Sequence, residues 1–360
     1  MTLPPYFPKN PPIYDIEKSY ADNVLSGPLF TDALPQRIFP KEETWIDFLG
    51  HSIASPIGVA AGPLLTSQWV KLAADLGFDL PTYKTIRSHE HPAHPLPNMI
   101  FIKAKEQIGI ANDPLEHATE MPRTMDLLSV TNSFGMPSQR PDFLLEDIAR
   151  ANSYMKKGQL LIVSVVGSAH KGDLLKDFID AASLAKDAGA RVIEANFSCP
   201  NVDKKGGSLY ICPETVFLFA SSLVKALGPI PLILKVGLFD NQEQMREVLL
   251  AAARAGVRAV CGINTISRAV IDKEGHPALG ANRLTSGICG APIRNAALAF
   301  IRDLVTINRC EHLGLTVMGV GGIVQKEHFD LFLEAGADVA LTATGMMWDP
   351  YLAMRYTQRT

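Results

Sequence analysis

The sequence predicts an α/β fold in the form of a closed (β/α)8 TIM barrel, and three observations support this prediction. From residue 56 onward, eight short apolar stretches of strand length alternate with longer helical patterns, as expected for repeated βα units. Several of these stretches are apolar on both faces, which is typical of parallel strands that are covered on both sides. Polar and glycine residues concentrate where the stretches end. A doubly wound open sheet produces the same alternation and is the alternative.

The first part of the chain is expected to be an arm rather than a barrel element. Residues 1–50 are assigned to this N-terminal arm, which packs on the barrel, because five prolines between positions 4 and 12 interrupt any regular structure there. A short helix is expected around 16–24. Residues 51–360 are assigned to the barrel, with an insertion at about 87–130 on the active-site face. A second segment that departs from the repeat covers 267–290.

The barrel elements follow in order along the chain. Strands are predicted at 57–61, 80–86, 160–166, 191–197, 231–236, 259–265, 315–320 and 338–344. Helices are predicted at 173–188, 213–227, 242–255, 293–305 and 326–335. Asp173 stands where an N-cap is expected, and Gly189, Gly256 and Gly336 stand where helices commonly end in a left-handed residue.

The composition excludes several classes of function. The formal net charge is −3 and no run of Lys and Arg occurs, so a nucleic-acid partner is not expected. The sequence lacks both a secretory signal and a charge-free apolar stretch long enough to span a bilayer, so a cytoplasmic location is expected. Five cysteines without a Cys-x-x-Cys pair predict neither disulfides nor an iron–sulfur cluster. The segment HEHPAH at 89–94 is interrupted by Pro92, so no metal site is predicted.

The polar residues at the strand ends predict a single site at one end of the barrel. Among them are Lys84, Asn196, Lys235 and Asn264. Buried polar groups in apolar strands cost several kcal/mol, about 2–7, unless they have partners, and one polar residue alone could be an ordinary core group. The segment GVGG at 319–322 leads into a helix expected near Gln325, and glycine turns before helices favour phosphate binding.

Cys199 is the predicted proton-transfer residue. It follows a strand end, precedes Pro200 and has Asn196, Ser198 and Asn201 close in sequence. A thiol ionises more easily than a hydroxyl, so it can accept a proton from a carbon acid in favourable surroundings. The other four cysteines are expected to be inert and buried.

The segment EANFSCPNV at 194–202 resembles the active-site motif of dihydroorotate dehydrogenases, in the form carried by the soluble class with a cysteine base. The resemblance runs from about residue 55 to residue 351. It continues in KKGG at 204–207, ILK at 233–235, GINT at 262–265, AVID at 269–272 and GVGGI at 319–323.

For the cofactor, the resemblance implies FMN lying across the barrel mouth. Lys235 would lie beside the N1/O2 edge of the flavin and stabilise negative charge on its reduced form. The backbone near Gly321, Gly322 and Thr344 would hold the phosphate. The implied cofactor contacts are Ala60, Ala61, Gly62, Lys84, Asn132, Asn196, Lys235, Gly290, Gly321, Gly322, Ala343 and Thr344.

For the reaction, the resemblance implies oxidation of dihydroorotate to orotate, a step of pyrimidine biosynthesis. Cys199 would remove the proton from C5 while hydride passes from C6 to flavin N5, and Lys84 would touch both flavin and substrate. Four asparagines suit a cyclic imide, because amides pair with alternating ring N–H and C=O groups. The implied substrate contacts are Lys84, Asn132, Gly135, Met136, Asn196, Asn201, Asn264 and Thr265.

The chain departs from the family pattern in four places. The arm and the insertion at 87–130 are longer, SGICG replaces the more usual GGLSG at 286–290, and Ala343 replaces a usual glycine. None of these changes removes a catalytic residue. They bear on the electron acceptor, the oligomer contacts and the fit of the substrate.

Two other functions remain as alternatives. Dihydropyrimidine dehydrogenases acting on uracil or thymine resemble the chain around 65–67, but they typically carry His where this chain has Asn201, and they are coupled to iron–sulfur modules that are missing here. A catalytically silent flavin-binding subunit is the third possibility, against which the intact Cys199 and Lys84 argue.

The partner expected from the sequence is a small-molecule dihydropyrimidine substrate. A homodimer is also expected, with or without an electron-transfer subunit. The electron acceptor stays open between fumarate, NAD⁺ through an iron–sulfur partner, and a quinone. The motifs at 204–207 and 269–272 favour the NAD-linked subgroup, whereas the arm and the insertion do not suit its usual partner.

Overall fold

The computed structural model describes residues 3, 5–104, 108, 113–169, 172–198 and 209–358. Elements are numbered in chain order. The arm carries one helix, α1 (Tyr20–Ser26), which starts later than the sequence predicts because the Ser19 side chain caps it by accepting from the amide of Asp22 at 3.1 Å. A hairpin follows, made of β1 (Ile46–Phe48) and β2 (His51–Ile53) in antiparallel pairing.

The arm is joined to the barrel by a buried ion pair and by aromatic contacts. Arg37 donates to both carboxylate oxygens of Asp79, at 2.5 and 2.6 Å, and the Asp79 side chain is fully buried. Tyr14 packs against Trp69 with ring centroids 6.1 Å apart. The arm therefore contacts the barrel at more than one place.

Eight parallel strands form a closed barrel, which confirms the fold predicted from the sequence. Each predicted strand corresponds to one strand of the barrel, and the closing pair of the first and last strands matches Ala340 with Ile57. This closure excludes the doubly wound open sheet. The strands are β3 (Ile57–Val59), β4 (Leu80–Ile86), β8 (Ile162–Val165), β9 (Ile193–Asn196), β10 (Leu232–Lys235), β11 (Ala259–Gly262), β15 (Thr316–Val320) and β16 (Val339–Thr342).

Helices surround the barrel and cover the outer faces of its strands. Asp173 caps the predicted helix at 173–188 by accepting from the amide of Lys176 at 2.9 Å, and Gly189 ends it with φ +87°. The helices are α2 (Ser67–Asp75), α3 (Pro141–Ser153), α4 (Leu174–Asp187), α5 (Pro213–Leu227), α6 (Gln242–Arg254), α7 (Arg294–Cys310), α8 (Glu327–Glu334), α9 (Thr344–Trp348) and α10 (Leu352–Thr357). Within the described residues, none of them is long and apolar enough to span a membrane.

The two segments that depart from the repeat pair with each other in a second sheet. Its order is β12-β14-β7-β5-β6-β13. The strands are β5 (Met99–Lys103), β6 (Leu115–His117), β7 (Ser129–Asn132), β12 (Ile266–Arg268), β13 (Val270–Ile271) and β14 (Ser286–Gly290). The antiparallel pair of β7 and β14 joins the two segments and matches Asn132 with Gly287. The residues after β4 and β11 thus form one structure beside the carboxyl ends of the barrel strands.

The interior of the barrel is apolar in its lower part and polar beneath its mouth. Leu80, Ile162, Ile233 and Met318 belong to a buried apolar cluster inside the barrel. Polar side chains on β4, β8, β9 and β10 lie among them, and all are buried: Thr82, Lys84, Ser164, Glu194, Asn196 and Lys235. Buried polar groups of this kind need partners, so this layer indicates a site.

Candidate active site

A cavity of about 590 Å³ opens at the carboxyl ends of the barrel strands. Barrel enzymes place their active sites at this face, and the volume lies in the range of small-molecule sites, about 300–1,000 Å³. Its wall includes every predicted site residue that lies within the described part of the chain: Ala60, Ala61, Gly62, Lys84, Asn132, Gly135, Met136, Asn196, Lys235, Asn264, Thr265, Gly290, Gly321, Gly322, Ala343 and Thr344. The structure therefore brings together residues that are up to 284 positions apart in sequence, from Ala60 to Thr344.

Two lysines reach the cavity from strands that are three positions apart in the barrel. Lys84 on β4 is 8% exposed and Lys235 on β10 is 4% exposed. The Lys84 ammonium donates to the carbonyl of Thr85 at 3.3 Å. Each lysine lies on a strand, and strands hold side chains more rigidly than loops do. Two lysine side chains are thus held at the cavity by barrel strands.

Asn196, Ser198 and Asn264 form one hydrogen-bonded cluster on the cavity wall. The Ser198 hydroxyl donates to Oδ1 of Asn196 at 2.9 Å and accepts from Nδ2 of Asn264 at 2.6 Å. The Ser198 amide also donates to Oδ1 of Asn196, at 3.2 Å. Asn264 is oriented by the amide of Thr265, which donates to its Oδ1 at 2.9 Å. Both amide side chains are therefore held in place before any ligand binds.

Asn132 reaches the same cavity from the second sheet. It is the last residue of β7, and its Nδ2 donates to the sulfur of Cys289 on β14 at 3.3 Å. Burial raises the pKa of the Cys289 thiol, while hydrogen bonds with Thr344 and Asn132 act in the opposite direction. The thiol is consequently protonated at neutral pH and can take part in a hydrogen bond. The segment following β7 places Gly135 and Met136 on the wall as well.

The turns after β15 and β16 meet at one end of the cavity. Thr342 Oγ1 donates to the carbonyl of Ile323 at 2.6 Å, and a Cβ added to Gly345 would lie only 2.5 Å from that carbonyl oxygen. Gly321 and Gly322 have φ values of +129° and +77°, which side chains rarely allow. The two turns thus bring close-packed backbone to one end of the cavity, and phosphate binding there stays a prediction.

The N-terminus of α8 differs from the expectation. The helix begins at Glu327 rather than near Gln325, and the amides of Val324 and Gln325 donate to Nδ1 of His328 at 3.3 and 3.2 Å. Burial, and then the nearby Arg294, lower the pKa of His328 to about 4, so the ring is neutral and can accept these bonds. These two amides precede the helix and are already used by His328, and phosphate binding at this turn stays a prediction.

The described residues fit a flavin mononucleotide. Gly62 has φ +153° and open space where a Cβ would stand, so its backbone can approach a flat ring. The buried Lys235 ammonium offers a positive charge at the cavity floor, and the paired turns at 319–323 and 343–345 offer backbone for a phosphate. When bound there, FMN would supply hydride acceptance, and the chain would supply position and charge.

Two predicted residues lie outside the described part of the chain. These are Cys199 and Asn201, and the KKGG motif at 204–207 lies there too. Ser198 is the last described residue before this gap, and both Ser198 and Asn196 line the cavity. The roles of Cys199 and Asn201 remain predictions.

The expectation that the other cysteines are inert and buried is wrong for three of them. Cys289 lines the cavity, Cys212 is half-buried and Cys310 is exposed, whereas Cys261 is fully buried. Cys289 replaces the usual serine of the 286–290 motif, and a sulfur fills the place of a hydroxyl at this point. The replaced motif was the available sequence signal that Cys289 belongs to the site.

Other cavity residues were not found from the sequence. Tyr14 and Tyr20 of the arm line the cavity, as do Glu194 and Ser198. Ser198 and Glu194 lie inside the motif at 194–202, so their position in the sequence already indicated that they are near the site. The tyrosines carried none, because contact between the arm and the barrel mouth depends on tertiary structure.

The histidine-rich segment at 89–94 does not converge on one point. His89 lies near Asp177 and Ser88, whereas the ring of His94 contacts the Ser133 hydroxyl at 3.2 Å. Within the described ranges, no three His, Cys, Asp or Glu side chains are placed to share a metal ion.

Comparisons with known proteins agree with this geometry. The family model described as dihydroorotate dehydrogenase matches residues 45–358. A dihydroorotate dehydrogenase of Dictyostelium discoideum is 50% identical over 97% of this chain and 98% of its own length. The catalytic subunit of an NAD(+)-linked dihydroorotate dehydrogenase B of Methanocaldococcus jannaschii is 24% identical over 84% of this chain and 87% of its own. Subunit PreA of the NAD-dependent dihydropyrimidine dehydrogenase of Escherichia coli is 32% identical over 52% of this chain and 45% of its own.

Proposed function

The chain belongs to the dihydroorotate dehydrogenase family, and from that membership we propose that it binds FMN and oxidises dihydroorotate to orotate, a step of pyrimidine biosynthesis. One observation carries the proposal. Three asparagines and two lysines from five separate strand ends surround a single cavity at the barrel mouth: Asn132, Asn196, Asn264, Lys84 and Lys235. A ring with alternating N–H and C=O groups and a carboxylate can be held by this set.

The proposed substrate position follows from the hydrogen bonds already made. Oδ1 of Asn196 accepts from Ser198, which leaves its Nδ2 to donate to a ring carbonyl. Asn132 on the second sheet and Asn264 on the barrel would hold the ring from two other sides. Lys84 would contact the substrate and the flavin together. Such fixed contacts contribute to catalysis by holding the reacting atoms in place.

The proposed base is Cys199, which would accept the C5 proton of dihydroorotate while hydride leaves C6 for flavin N5. Ser198 and Asn196, which precede it, fix the chain at the cavity wall. A general base typically contributes about 10²–10⁴-fold to the rate. Lys235 would lie at the N1/O2 edge of the flavin, where a positive charge favours the reduced form.

The experiment is anaerobic mixing of the purified, flavin-loaded protein with dihydroorotate. We expect the flavin absorbance to bleach in a single turnover. Dihydrouracil serves as the matched comparison, since it has the same ring without the carboxylate, and we expect it to leave the absorbance unchanged. Bleaching by dihydrouracil alone would replace the proposal with a dihydropyrimidine dehydrogenase. A preparation that cannot be loaded with flavin would overturn it altogether.

We further propose that the protein is a homodimer, as the family resemblance implies. Sedimentation of the flavin-loaded protein at several concentrations tests this, and a particle of about 78 kDa is expected from twice the chain mass of 39.1 kDa. A species of the chain mass at every concentration would contradict the dimer without affecting the proposed reaction.

A further inference from the structure

A buried carboxylate lies inside the barrel at the wall of the cavity. Glu194 on β9 has no exposed surface, and its Oε1 accepts a hydrogen bond from the Ser164 hydroxyl on β8 at 2.8 Å. Its Oε2 is buried and makes no hydrogen bond with the described residues. A carboxylate removed from water in this way is costly unless a positive charge compensates it. The proposed reaction has no step that uses Glu194.

The compensating charge is Lys235 on the neighbouring strand. Lys235 is the register partner of Asn196, and Glu194 lies two residues before Asn196 on β9. Residues two apart on a strand share a face, so Glu194 lies one layer deeper in the barrel than Lys235. Both side chains therefore face the barrel interior from neighbouring strands, and both adjoin the cavity.

Cys261 on β11 faces both charged groups. It is the register partner of Lys235 on the other side of that strand, and it is fully buried. The pKa of its thiol is raised to about 12, chiefly by burial. Lys235 lowers this pKa and Glu194 raises it. A thiol with this pKa is neutral over the working range of an enzyme. Glu194 is therefore the acidic group that balances Lys235 there.

The charge on Lys235 depends on this neighbour. Burial lowers the pKa of Lys235, whereas negative charge on Cys261 or Glu194 raises it. Because the Cys261 thiol is neutral over the working range, Glu194 is the neighbour whose charge keeps the lysine protonated there. A buried lysine without a counter-charge can have a pKa as low as about 5–6. Two further charged side chains of the described residues line the same cavity, Lys84 on β4 and Asp240 after β10.

The same carboxylate is linked to the second lysine. The Ser164 hydroxyl, which donates to Glu194, lies 3.0 Å from the Thr85 hydroxyl, and the Thr85 carbonyl accepts from Lys84 at 3.3 Å. Because the Ser164 proton is directed to Glu194, Thr85 is the donor in the contact between the two hydroxyls. Hydrogen bonds therefore connect Glu194 through Ser164 to Thr85, the residue whose carbonyl accepts from Lys84.

We propose that Glu194 is a positioning residue whose buried carboxylate keeps Lys235 protonated beneath the flavin and thereby sets the reduction potential of the bound flavin. The proposal rests on the proposed function in one respect, namely that Lys235 lies at the N1/O2 edge of FMN. A positive charge there favours the reduced flavin, so loss of the Lys235 proton lowers the potential. Glu194 itself touches neither flavin nor substrate in this proposal.

The test compares the flavin midpoint potential of Glu194→Gln with that of the parent at pH 6 and pH 9, measured by anaerobic spectroscopic titration. Glutamine keeps the volume and can still accept from Ser164. At pH 6 Lys235 is charged in both proteins, and at pH 9 we expect it to be neutral only in the variant. From pH 6 to pH 9, the equilibrium constant for flavin reduction should therefore fall at least tenfold more in the variant than in the parent. This loss is about 30 mV for a two-electron couple.

A double-mutant cycle shows whether Glu194 acts through Lys235. In a Lys235→Met background, Glu194→Gln should no longer change the pH dependence of the potential. Glu194→Asp should restore most of the parent value, because it returns the charge. Glu243→Gln, the same substitution at an exposed position of α6, should match the parent.

Two results overturn the proposal. One is a variant potential that parallels the parent from pH 6 to pH 9, and the other is a pH-dependent difference that persists without Lys235. If Glu194→Gln does not fold or does not bind flavin, Ser164→Ala is measured in its place. It removes the hydrogen bond to Oε1, and a smaller shift in the same direction is expected, whereas no shift refutes the proposal. If Lys235→Met alone leaves the potential unchanged, the placement of Lys235 in the proposed function fails instead.

Discussion

Replacing Asn264 with alanine separates binding at the site from stability of the fold. The Asn264 amide donates to Ser198 at 2.6 Å and is proposed to hold the substrate ring. The variant loses one ligand hydrogen bond and leaves the Ser198 hydroxyl with one acceptor site unfilled. Neutral hydrogen bonds contribute about 0.5–1.5 kcal/mol each, and a buried group left unpaired costs about 1–3 kcal/mol.

At the ligand, the substrate group that Asn264 served is left buried and unpaired, which costs about 1–3 kcal/mol. This loss corresponds to a decrease of roughly 5- to 150-fold in kcat/KM, since about 1.4 kcal/mol is tenfold. Asn264 is half-buried beside the cavity, so the free energy of unfolding should change by only about 0.5–1 kcal/mol. The assays are kcat/KM for dihydroorotate, the Kd of orotate from the change in flavin absorbance, and the urea midpoint.

Asn308→Ala is the matched control. Asn308 on α7 also makes two hydrogen bonds, donating to the Leu315 carbonyl at 2.7 Å and accepting from the Leu315 amide at 3.0 Å. Leu315 precedes β15, so these bonds lie at the end of the barrel opposite the cavity. The control should lose about 1–3 kcal/mol of stability with kcat/KM unchanged. If Asn264→Ala instead loses stability and keeps its affinity for orotate, the assignment of Asn264 to the substrate is refuted.

Three further substitutions test other parts of the site. Cys199→Ala should slow flavin bleaching by dihydroorotate about 10²–10⁴-fold with FMN still bound, and the exposed Cys310→Ala should bleach like the parent; equal rates in all three proteins would remove Cys199 from the mechanism. Gly322→Ala should weaken FMN binding, because a Cβ would lie 2.5 Å from a neighbouring side chain at φ +77°, whereas Gly314→Ala, at φ +67° in open space, should keep the parent affinity. The lowered pKa of His328, about 4, means that the unfolded chain binds a proton first on acidification. The folded protein therefore loses stability, on the order of 2 kcal/mol, as the pH falls from about 6.5 toward 4. His328→Ala should flatten this pH dependence of the urea midpoint. An unchanged slope would show that His328 does not cause it.

The barrel was predictable because each strand carries its own signal. A stretch such as that of β10 is apolar on both faces and lies between helical patterns, and all its residues are buried in the structure. Capping residues such as Asp173 and Gly189 fixed helix ends locally. Eight such units in a row favour a closed sheet, and the pairing of the last strand with the first in the structure decides against the open sheet.

The second sheet was not predictable from the same reasoning. The sequence marked 87–130 and 267–290 as segments outside the repeat, yet their short strands pair across more than 150 positions, as Asn132 does with Gly287. Local patterns carry no information about such distant pairing, because register is set by the tertiary contacts of both segments. The second contact of Asn132, with Cys289, has the same origin.

Within the site, the residues proposed to contact ligands were easier to predict from the sequence than the buried residues that surround Lys235. Lys235 was identified because a lysine in an apolar strand requires an explanation. The relation of Glu194 and Cys261 to Lys235 could not be predicted from the sequence. The two residues lie on the two strands that flank β10, and they come close to Lys235 only in the folded barrel. Removing the Lys235 side chain therefore should not merely empty the cavity floor. It should leave Glu194 as a buried carboxylate without a counter-charge, and such an unpaired charge costs about 3–5 kcal/mol. A Lys235→Met variant that loses no stability would mean that Glu194 is compensated elsewhere, and the network under the cavity would then lose its proposed connection to the flavin.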